Sequence, residues 1–209
     1  MHIDINNTPK FVINLKYRTD RLAQITNEMK WLCDNPNFER FEGVEYPNEL
    51  NRNKAGMMGC GNSHLEIIKI AKERNYENVI IMEDDCIFQG KEKTMEYVQS
   101  CFDDVPEDYD MLFGGIYQGS NPIDSKKHWW KIKNFSSTHF YVIKNTAYDT
   151  VLKDYDPTTY HLDRYYAASN MNMYVPKLMF AIQSTGYSNI MERDVDYTYL
   201  LVKNGFCLL

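Results

Sequence analysis

Val79-Ile80-Ile81-Met82 runs without a break into Glu83-Asp84-Asp85. An unbroken apolar run of this length, rich in β-branched side chains, predicts a strand buried on both faces. Such a strand needs a sheet with helices on either side. Ligands in open α/β sheets bind beyond the carboxyl ends of the strands, which is where the three acids fall. Adjacent carboxylates repel one another, and a divalent cation relieves the repulsion while taking hard-oxygen ligands. A solvated acidic turn is the alternative; the rigid strand in front favours the cation, because it fixes the acids on firm backbone.

Other segments alternate in the same way. Phe11-Val12-Ile13-Asn14-Leu15 predicts a first buried strand, and Thr19 or Asp20 can cap a helix with Leu22, Ile25, Met29 and Leu32 on one face. A strand is expected within 38–46. The 56–61 stretch, with three glycines, reads as a turn, after which Asn62 or Ser63 can cap a helix. A helix over 91–102, a strand at Met111-Leu112-Phe113 ending in Gly114-Gly115, a strand at Phe140-Tyr141-Val142-Ile143 and helices after Asn145 and over 162–169 follow. Residues 117–135 have loop character. Strands alternating with helices argue an α/β class with a mostly parallel sheet, mixed because the pattern loosens after Tyr117. There is no repeat and no linker-like tract, so 1–209 is expected to form a single domain.

The net charge is −6, which does not favour a sequence-independent nucleic-acid binder but leaves room for a local basic groove. The five cysteines are widely spaced with no CxxC pair, which argues for reduced, mostly buried thiols rather than a disulfide framework or zinc site. The polar first residues lack the apolar region of a signal peptide, and no run approaches the roughly 20 apolar residues of a membrane span. The expected location is cytoplasmic.

Several residues have two readings. Gly114 and Gly115 could let backbone approach a ligand or could form a tight turn. Arg18 and Arg21 could fork onto a phosphate or a carboxylate, or lie on a solvated helix face. His64 could be a core or capping histidine as readily as a ligand contact. Trp129 and Trp130 could stack on sugar or anchor a loop.

Taken in order, these segments resemble glycosyltransferase family 25, which includes lipooligosaccharide and collagen galactosyltransferases. Val12-Ile13-Asn14-Leu15 with Arg18, Asp20, Arg21 and Leu22 is similar to the family's INL-x-x-R-x-D-R-L opening. Gly59-Cys60-Gly61-Asn62-Ser63-His64 resembles its GC-x-x-SH block, 79–85 its strand ending in EDD, and Leu112-Phe113-Gly114-Gly115 its strand ending in paired glycines. Thr138 with Tyr141 and Ile143, the pair Leu162-Asp163, and Pro176, Gln183 and Ser188-Asn189-Ile190 match later blocks, with Asn189 where the family commonly has Asp.

The resemblance implies a GT-A-like, Rossmann-related fold and an inverting transferase that takes galactose or glucose from a UDP-sugar with Mn²⁺, onto a hydroxyl of a glycan or collagen-like protein. On that reading Asp85, and less directly Glu83, hold the metal, while Asp84 meets ribose or a metal-bound water. Asn14, Leu15, Arg18 and Arg21 line the nucleotide end. Ser63 and His64 contact the donor near a helix N-terminus, which also favours the anionic diphosphate, and Gly114 and Gly115 lie close to it. Inversion needs a base, for which Asp163 leads and His161, Asp124, Glu192 and Asp194 are reserves. The competing readings are a non-catalytic nucleotide-sugar or carbohydrate binder on the same scaffold, and an interaction protein with an incidental acidic turn. An Asp-nucleophile phosphatase is disfavoured, because Cys86 stands where its Asp-x-Asp pattern needs an acid.

Overall fold

A computed structural model describes residues 1–46, 52–188, 193–196, 199 and 207–209. The elements in chain order are β1 (Lys10–Asn14), α1 (Thr19–Glu28), β2 (Glu39–Glu42), α2 (Arg52–Glu73), β3 (Asn78–Glu83), β4 (Cys86–Phe88), α3 (Thr94–Asp103), β5 (Met111–Phe113), β6 (Ser120–Asp124), β7 (Trp129–Lys133), β8 (Phe140–Lys144), α4 (Asn145–Asp154), α5 (Leu162–Ala168) and β9 (Met173–Pro176). Short strands follow: β10 (Leu178–Met179), β11 (Ala181–Gln183), β12 (Gly186–Ser188), β13 (Arg193–Val195) and β14 (Cys207–Leu208).

The main sheet is ordered β2-β1-β3-β8-β5-β9-β7-β6. Its pairs β1–β2, β1–β3 and β5–β9 are parallel, and β8 enters antiparallel between β3 and β5. β7 opposes β9 and β6 opposes β7. Thus β2, β1, β3, β5, β9 and β6 all run one way, and only β8 and β7 run against them. The sheet is mixed but mostly parallel in strand direction, as the alternating pattern predicts.

β3 explains why its apolar run is unbroken. Val79 and Ile81 face a core layer with Ile67 and Ile68 of α2 and Val151 of α4. Ile80 and Met82 face the opposite layer, with Ile25 of α1 and Val98 of α3. All four β3 residues are fully buried. A strand covered on both faces has no polar side to show.

Two expectations change. The 56–61 stretch is no turn; it lies inside α2. A Cβ at Gly59 would sit 2.4 Å from the Val44 carbonyl oxygen, and one at Gly61 2.3 Å from the Tyr155 hydroxyl. These glycines give neighbouring segments room against the helix, a packing demand that outweighs the ~1 kcal/mol cost of a helical glycine. The 117–135 segment is not a loop throughout, for β6 and β7 form an antiparallel edge of the sheet. Trp129 is fully buried there, donating from its indole N–H to the Cys101 carbonyl, with Phe102 edge-on to its ring; Trp130 packs on the other core layer. Both tryptophans anchor structure. Among the described residues no helix is long and apolar enough to cross a membrane.

Candidate active site

Beyond the carboxyl ends of β1 and β3 opens a cavity of about 720 Å³. Leu15, Arg18, Arg21, Ser63, His64, Glu83, Asp84, Asp85 and Asp163 all line it. The topology therefore gathers most of the sequence-predicted residues into one place.

The β3 acids form its most charged wall. Asp84 and Asp85 are only 7% and 8% exposed. Asn14, expected at a nucleotide end, is buried and is not among the residues lining the cavity, and both of its amide hydrogens are used. Its Nδ2 donates to Asp84 Oδ2 at 2.7 Å and to the Arg18 carbonyl at 2.9 Å, while its Oδ1 accepts from Arg40 Nε at 3.0 Å. It is a positioning residue that fixes Asp84. Arg21 Nη1 donates to Asp84 Oδ1 at 3.1 Å and Asp85 Oδ2 at 3.2 Å, and its Nη2 to the Tyr187 carbonyl at 2.8 Å. The guanidinium is thus the counter-ion of the acidic pair. Arg18 pairs with Asp20 at the cavity's rim.

Burial still raises the Asp84 carboxyl above its ordinary range. Burial, with Glu83 alongside, pushes Asp85 up to about 7 despite Arg21. Asp85 Oδ1 is buried with no hydrogen-bond partner among the described residues. A buried carboxylate oxygen without a donor is costly to ionise, which is why the carboxyl titrates high, and a hard divalent cation would satisfy it in its ionised form. The donor set on this wall fits such a cation.

Glu83 turns toward α2 and β8. Its Oε1 accepts from Thr138 Oγ1 at 2.7 Å and lies 3.6 Å from His64 Nε2. Burial pushes its carboxyl up, but His64 and Thr138 outweigh this and leave it below the ordinary value. Ser63 Oγ donates to the Gly59 carbonyl and accepts from the Val44 N–H at 2.8 Å, tying the chain after β2 to α2. Ser63 and His64 lie well within α2 rather than at its N-terminus; a helix N-terminus that does reach the cavity is that of α5, where Leu162 and Asp163 line it.

Asp163, in the first turn of α5, also lines the cavity. Its Oδ2 accepts from the Ser137 N–H at 3.0 Å and its Oδ1 from the Arg164 N–H at 2.7 Å. Ser137 has φ 91°, a left-handed backbone uncommon for a side-chain-bearing residue and one found at constrained sites. Ser137 Oγ also meets Gln183 Oε1 at 3.1 Å and the His139 ring. Ser137 and His139 were not legible as site residues; a polar stretch before an apolar strand carries no spacing signal. Tyr117, which also lines the cavity, accepts the Gln183 N–H on its hydroxyl.

Gly114 and Gly115 are closely approached by protein. A Cβ on Gly114 would meet Ala181, Phe140 and Phe180 side chains at 2.8–2.9 Å, and one on Gly115 would sit 2.0 Å from the Ala181 carbonyl oxygen. Both Phe180 and Ala181 donate backbone N–H groups to the Gly114 carbonyl. The paired glycines let the β10–β11 segment close over the sheet. Of the reserve acids and bases, His161 lines the cavity and Asp194 is exposed on β13. Glu192, with Asn189 and Ile190, lies outside the described residues, as does the side chain of Asp124.

Residues 7–147 match the model of a family described as Glycosyltransferase family 25 (LPS biosynthesis protein). No curated protein sequence matches the chain. Among solved structures, a glycosyltransferase involved in the glycosylation of the major capsid of PBCV-1 is similar, with 13% identity and a TM-score of 0.53 over 88% of this chain and 96% of that one. A197 from STIV follows at 12% identity and a TM-score of 0.48, over 90% of this chain and 93% of that one. At these identities the first likeness speaks for the fold alone.

Proposed function

The chain belongs to glycosyltransferase family 25, and on that premise we propose that it moves galactose or glucose from a UDP-sugar to a hydroxyl of a glycan or collagen-like protein, with Mn²⁺ and with inversion. The observation that carries this reading is the presence of two unlike carboxylates in one cavity: Asp85 with an unsatisfied buried oxygen, and Asp163 held by two backbone amides. A divalent cation on the β3 side would stabilise the negative charge that develops on a departing nucleoside diphosphate.

Asp85 is the side chain to hold that cation, with Asp84 set beside it by Asn14 and Arg21 for the ribose or the cation's hydration shell. Arg18 and Leu15 line the nucleotide end, and Arg21 can exchange its acidic partners for phosphate oxygens. The Ser137 and Arg164 amides orient Asp163 to take the proton of the acceptor hydroxyl as it attacks. Asp85 is unsuited to that task, because a carboxylate committed to a cation is a poor proton acceptor.

The test is a panel of nucleotide sugars incubated with and without Mn²⁺. The reading expects slow donor hydrolysis of UDP-galactose or UDP-glucose that stops on chelation. Saturable binding of these donors with no turnover in any acceptor extract would instead assign the chain a binding role.

A further inference from the structure

Cys60 and His64 stand one helical turn apart on α2, so the i, i+4 spacing sets both on one face of the helix. That face meets the end of β3 at Glu83. The three residues can each bring one donor atom, a thiol sulfur, an imidazole nitrogen and a carboxylate oxygen, to within 4.8 Å of one another. His64 is fully buried, and its Nε2 has no hydrogen-bond partner among the described residues. That nitrogen points at Glu83 Oε1, 3.6 Å away. An imidazole nitrogen left unsatisfied in the interior is a cost that a ligand would remove.

The rest of the ring is arranged as metal-binding histidines are. His64 Nδ1 meets the Tyr141 hydroxyl at 2.8 Å, and that hydroxyl accepts from Tyr166 at 3.4 Å. When a metal ion takes the place of the proton that Nε2 otherwise turns toward Glu83, the Tyr141 oxygen, already accepting from Tyr166, can accept the Nδ1 proton. An outer partner of this kind fixes the tautomer and aims the ring. Thr138 does the same for Glu83 through its hydroxyl at 2.7 Å. All three candidate ligands line the cavity, which supplies an entry path and room for a fourth ligand.

We propose that Cys60, His64 and Glu83 form a second, softer metal site, of the Zn²⁺ class, with an open coordination position toward the cavity. A sulfur–nitrogen–oxygen set of three protein ligands suits Zn²⁺ or Co²⁺, whereas Mn²⁺ favours oxygen. The site draws Glu83 to α2 and leaves Asp85 to the hard cation. Binding converts the Cys60 thiol to a thiolate; one S–metal bond forms and the thiol proton passes to solvent, with no redox change. An ion here pins α2 to the end of β3 and places positive charge in the cavity beside the donor acids.

The test is titration of the intact, reduced protein with Co²⁺, followed by absorption. A single equivalent should produce a thiolate-to-cobalt charge-transfer band in the near ultraviolet and the visible bands of a four-coordinate ion, both bleached by Zn²⁺ and not by Mn²⁺. Cys60→Ser should abolish the charge-transfer band. Tyr141→Phe should weaken cobalt binding about 10–100-fold, the usual worth of an outer partner. Asp85→Ala should leave the spectrum unchanged, so the assignment stands or falls separately from Mn²⁺-dependent transfer. Zn²⁺ should also shield Cys60 of the unaltered protein from alkylation, read by peptide mass spectrometry, which needs no variant to fold. Absence of a charge-transfer band in the unaltered protein, its survival in folded Cys60→Ser, or equal alkylation of Cys60 with and without Zn²⁺ would overturn the proposal.

Discussion

Asp85 and Asp163 face the same cavity from elements of very different build. Asp85 follows β3, a central strand buried on both faces, and its carboxylate is sunk beside Glu83 and Asp84 with Arg21 as counter-ion. Asp163 sits in the first turn of the short α5, half-buried, and accepts two backbone N–H groups. On the β3 wall, negative charge is crowded and under-compensated, so the wall favours a cation. On the α5 wall a lone carboxylate is oriented by amides and stays open to an incoming hydroxyl. One fold thus gives two identical functional groups different chemistry through burial and neighbours.

The difference can be broken most severely at Asp85. Asp85→Ala is expected to abolish transfer and Mn²⁺-dependent donor binding while circular dichroism stays unchanged; full turnover after exhaustive chelation would remove the cation from the account. Asp163→Asn comes next. It keeps the shape and removes the charge, so transfer should slow by about 10²–10⁴-fold, the usual worth of a general base. Proton NMR of the product from the unaltered enzyme should show an inverted anomeric centre, and a retained linkage would reassign Asp163.

Arg21→Ala sharpens the same contrast from the side of stability. Without the guanidinium, two largely buried acids lose their counter-charge, and the metal-free protein should lose on the order of 3 kcal/mol in urea denaturation. Mn²⁺ should restore much of that loss, because a cation replaces the missing charge. Equal stability of the two proteins without metal would mean that Arg21 does not neutralise the pair. The smallest expected effect is at Gly115. Gly115→Ala drives a Cβ into the Ala181 carbonyl and should cost about 1–3 kcal/mol while leaving the donor KM of the folded enzyme unchanged. A raised donor KM would return Gly115 to the ligand's side.

The contrast also marks what was legible in the sequence. The β3 wall was readable because its signals are local: an apolar run ends, acids begin, and the run's length fixes where the strand stops. Asp163 was found only through resemblance, since one acid after one leucine has no pattern of its own. The network of Ser137, His139 and Gln183 that backs Asp163 joins the segment just before β8 to β11, a separation that no periodicity records. Glycine was the residue most easily misread. Gly59, Gly61, Gly114 and Gly115 are punctuation in sequence, yet each answers a neighbour that comes too close for a side chain. That neighbour lies 15 residues away for Gly59, at Val44, and far along the chain for the others.

The most direct test of this division of labour is calorimetric titration of UDP, with Mn²⁺ present, into the unaltered protein, Asp85→Ala and Asp163→Asn side by side. The account predicts that UDP binding is lost in Asp85→Ala and is unchanged in Asp163→Asn. Equal affinity in all three, or loss in Asp163→Asn with retention in Asp85→Ala, would contradict it.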